Sequence, residues 1–184
     1  MCNPSLTQKV ILNPFLSENT AENFQISVLL SYNKKSLHFD FQLTGKIDDL
    51  AISTFEPAKA QRKDRLWEHT CFEIFLGKHG MPDYLEFNLS PSGDWNVYSF
   101  SGYREGMRPV VCFDTLPFEI KILPVQTLKL KAAIDLKVLK DYSDIDVGLS
   151  AILEQKDGIK SYWAVSHPGD IPDFHSKEGW LKSF

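Results

Sequence analysis

The sequence has few cysteines, no excess of positive charge and no long apolar run, and each absence excludes a class of protein. Cys2, Cys71 and Cys112 form no C-x-x-C pair, and Cys71 lies in an apolar run where a small buried side chain is expected. The net charge of −4 leaves no basic stripe for a phosphate backbone, so we expect no nucleic-acid partner. The opening MCNPSLTQKVILNPF lacks the charged start and apolar run of a secretory signal, and no segment is apolar enough to span a membrane. We therefore expect a cytoplasmic protein with no membrane partner.

The dominant hydrophobic period in the chain is two residues, which is the period of β-strands. Apolar side chains occupy every second position of FQISVLLSY (24–32) and of SLHFDFQL (36–43). Strand composition recurs in seven further segments: TCFEIFL (70–76), YLEFNLS (84–90), DWNVYSF (94–100), PFEIKIL (117–123), TLKLKAAIDL (127–136), IDVGLSAIL (145–153) and KSYWAVS (160–166). Helix is expected only as a turn or two near 57–65 and 136–142. About nine or more short strands, with a hydrophobic fraction of 43%, predict one all-β domain over residues 1–184, an antiparallel β-sandwich.

One hairpin allows its register to be predicted. If the residue numbers of paired positions sum to 161, an entirely apolar face forms from Phe72, Ile74, Leu76, Leu85, Phe87 and Leu89. The other face then carries Glu73, Phe75, Glu86 and Asn88. Continuing into the third strand with a sum of 184 adds Asn96 and Tyr98 to this face and turns Trp95 and Val97 inward, unless a bulge at Gly93 reverses the strand. Because Asn and Glu are poor strand residues, a polar face shared by three strands favours a ligand-facing sheet over a solvated one.

Two segments carry a family resemblance. DRLWEHTCFEIFLG (64–77) has an acidic residue, a Trp three positions later and a Glu within an apolar strand, and the hairpin 84–100 contains Y-x-E-F-x-x-x-P-x-G. This pattern resembles the DOMON-like superfamily of β-sandwich ligand-binding domains and is similar to the family-nine carbohydrate-binding modules. The ending YWAVSHPGDIPDFH resembles that of an uncharacterised bacterial DOMON-like subgroup. Members bind sugars or haem or have no known activity, so the ligand has to be argued from the site.

A sugar site needs an aromatic face for the pyranose ring and amides or carboxylates for its hydroxyls. The resemblance implies that Trp67, and less closely Trp163, are the aromatic residues, although large aromatics more often serve packing alone. Directional hydrogen bonds are expected from Glu73, Asn88, Asn96, Tyr98 and Arg104. Thr70 stands where the family-nine pattern has an acidic residue, which removes any role of that acid.

Haem is the second candidate ligand, because DOMON-like cytochromes use Met with His or Lys as axial ligands. Met81 and Met107 lie in predicted loops, and His69, His167 and His175 are available, with Met107 and His175 as the pair to test. The absence of C-x-x-C-H excludes covalent c-type attachment and leaves b-type haem.

The carboxy-terminal stretch HPGDIPDFH suggests a third candidate, a metal-dependent enzyme that uses His167, Asp173 and His175. Pro168 and Pro172 make the stretch a rigid loop, and such loops also serve as simple covers for sheet edges. We expect this loop to wall the ligand pocket, with His167 and His175 making polar contacts.

The sequence therefore predicts a non-catalytic domain that binds a small polar, sugar-like ligand without a cofactor or metal. Arg104, together with the basic residues of QRKDR (61–65), predicts that the ligand carries a carboxylate or phosphate if both loops meet at one end of the sandwich. A protein partner that pairs with an exposed strand edge is a further expectation.

Overall fold

The computed structural model describes residues 7–15, 21–33, 35–53, 55, 59–139 and 144–182. Eleven strands run through them: β1 (Thr7–Pro14), β2 (Phe24–Asn33), β3 (Ser36–Gly45), β4 (Cys71–Lys78), β5 (Tyr84–Leu89), β6 (Trp95–Phe100), β7 (Arg108–Pro109), β8 (Phe118–Leu123), β9 (Thr127–Asp135), β10 (Ile145–Glu154) and β11 (Lys160–Ala164). Short 3-10 helices lie at Ala21–Asn23, Ile47–Asp49, Leu66–Glu68, Leu136–Leu139 and Lys177–Gly179. No α-helix occurs in the described ranges, and none of their helical segments has the length and apolarity to cross a bilayer. The all-β prediction is confirmed.

The strands form one strongly curled antiparallel sheet in the order β7-β6-β5-β4-β10-β11-β1-β2-β3-β9-β8. Strand β1 joins its two halves, because Thr7 to Leu12 pair with β2 whereas Asn13 and Pro14 pair with β11. The half from β7 to β11 carries the candidate site and is called the site sheet below. The half from β2 to β8 is called the back sheet.

The hydrophobic core lies between the two halves. Alternate side chains of β2, β3 and β9 form one buried cluster with those of β4, β5 and β10. Phe41 of the back sheet meets Phe72 of the site sheet edge to face, with ring centroids 5.3 Å apart. Since each strand buries every second residue here, the intervening residues of the site sheet must face away from the core.

The predicted register of β4, β5 and β6 is confirmed. Phe72, Ile74 and Leu76 pair with Leu89, Phe87 and Leu85, and Asn88 and Glu86 pair with Asn96 and Tyr98. Trp95 and Val97 lie in the core, so no bulge at Gly93 reverses β6.

The structure has two strands that are not predicted, and it shows both predicted helical turns in part. Strands β1 and β7 were absent from the predicted set. Within the range 57–65, where a helical turn is expected, Lys59 has 3-10 conformation and residues 57 and 58 are outside the described ranges; a further 3-10 turn follows at Leu66–Glu68. The second predicted turn begins at Leu136 as expected and is described to Leu139. The edge strands are β7 and β8, and pairing of a partner there stays a prediction.

Candidate functional site

Polar side chains form a row across the outer face of the site sheet. Ser150 of β10, Glu73 of β4, Asn88 of β5 and Asn96 of β6 are successive register partners. The neighbouring row contains Phe75, Glu86 and Tyr98. A water-facing strand would expose such residues, yet Glu73 is 3% exposed and Glu86 is 4% exposed. The face is therefore covered, and Glu73 and Glu86 of these two rows lie on the floor of a cavity.

Three segments cover this floor. The 3-10 helix Leu66–Glu68 brings Trp67, the turn after β6 brings Arg104 in a left-handed conformation (φ 55°), and the carboxy-terminal loop brings Phe174 and His175. Between them lies a cavity of about 400 Å³. Its lining residues are Trp67, Glu73, Glu86, Phe100, Arg104, Met107, Ile152, Tyr162, Pro172, Phe174 and His175. The volume is in the range of small-molecule sites.

An aromatic cluster holds the carboxy-terminal loop against the sheet. Trp180 packs against Phe75 and Tyr84, with ring centroids 5.5 Å away in each case, and its indole N–H donates to the carbonyl of Phe174 at 2.8 Å. The Trp180 ring lies over Gly148, where an added Cβ would come within 2.7 Å of Nε1. Glycine at this position of β10 therefore allows the Trp180 ring to pack closely on the strand, and Trp180 in turn holds the loop that carries Phe174.

Each of the two glutamates on the floor has one carboxyl oxygen in a hydrogen bond and one oxygen that accepts none from the described residues. Glu73 accepts a hydrogen bond from Ser150 Oγ at 2.8 Å through Oε2, and Glu86 accepts one from Asn88 Nδ2 at 2.7 Å through Oε1. The other oxygens, Glu73 Oε1 and Glu86 Oε2, accept no hydrogen bond from the described residues. Both carboxyl groups line the cavity. They are thus the polar atoms of the floor that a ligand can reach.

Burial sets the protonation of this pair. Desolvation, followed by the charge of Glu86, raises the pKa of Glu73 to about 8, and desolvation raises the pKa of Glu86 to about 7. Hydrogen bonds from Ser150 and Asn88 and the charge of Arg104 act in the opposite direction. Because the two groups titrate as a linked pair, the floor holds at least one proton at neutral pH.

His175 is a neutral donor on the cavity wall. Burial lowers the pKa of His175 to about 4, and the positive charge of Arg104 adds to this effect. Its Nδ1 lies 2.7 Å from the hydroxyl of Tyr84, which also accepts the backbone N–H of Arg104. We assign the hydroxyl proton to the bond with Nδ1, which places the imidazole proton on Nε2, 3.9 Å from Glu86 Oε2.

Arg104 is paired within the protein. Its guanidinium donates to Asp173 Oδ1 at 3.0 Å, and the hydroxyl of Tyr103 donates to Asp173 Oδ2 at 2.7 Å. These bonds lower the pKa of Asp173 against the opposing effect of its burial. They also tie the carboxy-terminal loop to the turn after β6. The basic residues of QRKDR are likewise engaged with protein groups, since Arg62 binds Asn96 and two carbonyls, Lys63 binds Asp94 and Arg65 binds Glu68.

Trp67, Glu73, Arg104 and His175 are the predicted site residues that the structure brings to the cavity. Asn88, Asn96 and Tyr98 lie on the predicted face but are buried beneath it. The amide of Asn96 donates to the Lys63 carbonyl, and the hydroxyl of Tyr98 donates to Asp64 Oδ1 at 2.6 Å. Asn96 and Tyr98 thereby position the segment that carries Trp67, whose ring meets Tyr98 at a centroid distance of 5.6 Å.

Trp163 and His167 lie away from the cavity. Trp163 points into the core on the opposite face of β11, where its indole N–H donates to Ser161. His167 binds the carbonyl of Asn13 at 2.9 Å and so fastens the loop to β1. The members of the alternative metal set are each engaged with other protein groups: His167 with the Asn13 carbonyl, Asp173 with Arg104 and the His175 ring with Tyr84. Across the described ranges no three His, Cys, Asp or Glu side chains converge as metal ligands.

Other residues of the cavity were missing from the predicted site. Glu86 was on the predicted polar face, so the register alone was a sufficient signal for it. Tyr162 takes the place at the cavity that was predicted for its neighbour Trp163. Phe174 comes from the carboxy-terminal loop, and nothing in the local sequence indicates which way its side chain points.

A larger groove, of about 920 Å³, lies on the other side of the 61–70 segment. Its charged side chains are largely paired with one another, as in Lys63 with Asp94 and His69 with Glu154. We place the candidate site in the smaller cavity, because only there do buried carboxyl oxygens lack partners among the described residues.

Comparison with solved structures finds similar chains at low sequence identity. A protein of Bacteroides uniformis ATCC 8492, provisionally described as carbohydrate-binding, aligns with a TM-score of 0.62 and 12% identity over 94% of this chain and 85% of its own. The chain shares the fold of that protein. A family-nine carbohydrate-binding module of Caldicellulosiruptor kristjanssonii gives a TM-score of 0.49 in complex with cellotriose (10% identity, 86% of this chain, 71% of that chain) and 0.49 in complex with glucose (12%, 94% and 82%). No protein-family model matches the sequence, and no curated protein matches it. The DOMON-like assignment therefore stays a prediction.

Proposed function

We propose that this protein binds a small polar, sugar-like ligand in the cavity over Glu73 and Glu86, and does not transform it. The observation that carries the proposal is the combination of aromatic walls with a floor whose carboxyl oxygens are directed into the cavity. Trp67, Tyr162 and Phe174 offer apolar surface of the kind that packs on the carbon face of a pyranose. Glu73, Glu86 and His175 offer acceptors and a donor for its hydroxyls.

The mixture of protonated and ionised groups suits hydroxyl recognition. A hydroxyl both donates and accepts, so a floor that holds a protonated carboxyl beside an ionised one can satisfy it in either direction. The fold supports the proposal in a general way, since the Bacteroides uniformis protein of the same fold is provisionally described as carbohydrate-binding.

The proposal is tested by isothermal titration with a panel of monosaccharides and disaccharides. We expect millimolar or tighter binding that is lost in Trp67→Ala and reduced in Glu86→Gln. Tyr32→Ala serves as the matched control, because Tyr32 is an exposed aromatic residue of the back sheet. Binding that survives Trp67→Ala, or an absence of binding by every sugar, would contradict the proposal. Incubation with the bound sugar should return it unchanged.

A b-type haem protein is the second candidate, and one observation favours it. Met107 and His175 line the same cavity. Against it, His175 is hydrogen bonded to Tyr84, and the floor between the two residues carries two buried carboxyl groups, which suit polar substituents better than the apolar face of a porphyrin. An absorption spectrum of protein expressed with a haem precursor separates the two candidates, because only haem gives a Soret band.

A further inference from the structure

The carboxyl pair on the cavity floor has no cation of its own. Arg104 is the nearest positive group, and Asp173 matches its charge at 3.0 Å. Lys177 lies beyond Tyr84 and donates to the carbonyls of Met81 and Asp83. No described residue therefore places an unmatched positive charge against Glu73 or Glu86.

The remaining titratable groups that face the pair are neutral at pH 7. Burial raises the pKa of the Cys71 thiol well above its usual range and that of the Tyr84 phenol to about 12, and it raises the pKa of Tyr98 as well. His175 is neutral because burial lowers its pKa to about 4. Apart from the matched Arg104–Asp173 pair, the charge at the floor is therefore that of the two carboxyl groups.

These charges decide between classes of sugar ligand. An acidic sugar would bring a third carboxylate toward Glu73 and Glu86, whereas Arg104, the arginine that lines the cavity, already has its charge matched by Asp173. A neutral sugar would bring no positive charge, so burial would continue to disfavour ionisation of the two carboxyl groups. A protonated amine would supply the missing cation and could donate to both free oxygens, Glu73 Oε1 and Glu86 Oε2.

Resting on the proposed function, we propose that the preferred ligand is an amino sugar whose protonated amine sits between Glu73 and Glu86. The hydroxyls of the same ring then remain for His175 and for the aromatic walls. The sequence-based prediction of an acidic ligand is replaced by this proposal, because the arginine that motivated it is paired.

Two readouts test the proposal on the intact protein at pH 7. The first is affinity: glucose, its 2-amino, 3-amino and 6-amino derivatives, N-acetylglucosamine and glucuronic acid are titrated in turn. A charge-assisted contact to two carboxylates predicts that at least one amino derivative binds about tenfold tighter than glucose or more, and that glucuronic acid binds weakest. Glu73→Gln should reduce this preference to less than threefold, whereas Glu119→Gln, at an exposed site on β8, should preserve it.

The second readout is proton release. A bound cation favours the ionised carboxylates, so binding of the amine should expel protons from the pair, measured as a dependence of the titration heat on the ionisation enthalpy of the buffer. A neutral sugar should show little dependence. Because Glu73→Gln keeps an acceptor for Ser150, it should remain folded, which circular dichroism checks; Glu86→Gln provides a second variant.

The outcomes separate this inference from the proposed function. If neutral sugars bind and no amino derivative binds more tightly, the inference is wrong and the sugar site stands. A preference for the amine that survives both Glu→Gln substitutions also overturns the inference, because the contact must then lie elsewhere. If none of the panel binds, both proposals fail.

Discussion

Replacing Glu73 with Gln should make the protein more stable than the wild type by an amount that grows with pH. The carboxyl group ionises near pH 4.5 in the unfolded chain and at about pH 8 in the folded protein, where burial is the main cause of the shift. Between these values the folded state binds more protons than the unfolded state, so wild-type stability falls as the pH rises. Below pH 4.5 both states are protonated, and above about pH 8 both are ionised, so the loss is confined to this window. Gln carries no titrating proton and has no such slope.

The size of the effect follows from about 1.4 kcal/mol per pH unit. Across the window the difference in the free energy of unfolding between variant and wild type should approach an upper limit on the order of 5 kcal/mol, shared in part with the linked ionisation of Glu86.

Urea unfolding, followed by tryptophan fluorescence at half-unit steps from pH 4.5 to 8.5, gives the free energy of unfolding of each protein as a function of pH. The other titrating groups are common to both proteins, so the difference isolates the carboxyl pair. Curves that run parallel within about 0.5 kcal/mol would refute the assignment of a buried, protonated Glu73. Glu119→Gln, at a side chain that is 69% exposed, should run parallel to the wild type.

Three further predictions follow from the packing and the wall of the cavity. Phe72→Ala should lower the free energy of unfolding by about 3–5 kcal/mol, measured in urea, because it opens a cavity at the contact between the sheets. Gly148→Ala should displace Trp180, shift the tryptophan emission and destabilise the protein by about 1–3 kcal/mol, whereas Gly169→Ala, whose added Cβ has no neighbour closer than 3.9 Å, should do neither. The ring nitrogen resonances of His175 should keep the values of a neutral imidazole from pH 5.5 to 8 and change to those of an imidazolium only near pH 4; protonation of the ring close to pH 6.5 would contradict a buried neutral imidazole.

The sandwich and much of its register could be predicted because alternation was clear. In β4 and β5 only one pairing gives an entirely apolar face, so the numerical register followed from the sequence and is confirmed. Strand β1 was missed for the opposite reason. Its apolar run Val10-Ile11-Leu12 does not alternate, and Ile11 is 55% exposed while its two neighbours are buried. Strand β7 has two residues, too few for any period.

The same limit applies to where the predicted site residues lie relative to the cavity. KSYWAV contains consecutive apolar residues at 162–165, so the sequence does not indicate which face of β11 turns outward. The structure buries Trp163 in the core and gives Tyr162 to the cavity. Asn96 and Tyr98 were on the predicted face, yet their hydrogen bonds go to the segment 63–64, and that segment's path depends on distant packing. The roles of His167 and His175 depend on the course of one loop, for which periodicity gives no information.

The strand that joins the two sheets and the loop that walls the cavity come from opposite ends of the chain. Asn13 of β1 donates to the carbonyl of Val165, and its own carbonyl binds His167. During synthesis, β1 can pair with β2 almost at once, but its second partner, β11, appears about 150 residues later. The nascent chain therefore holds β1 half paired, and this edge stays open until β11 has been synthesised. The same loop supplies Phe174 and His175 to the cavity, so the cavity has its complete lining only after this loop has packed against the site sheet.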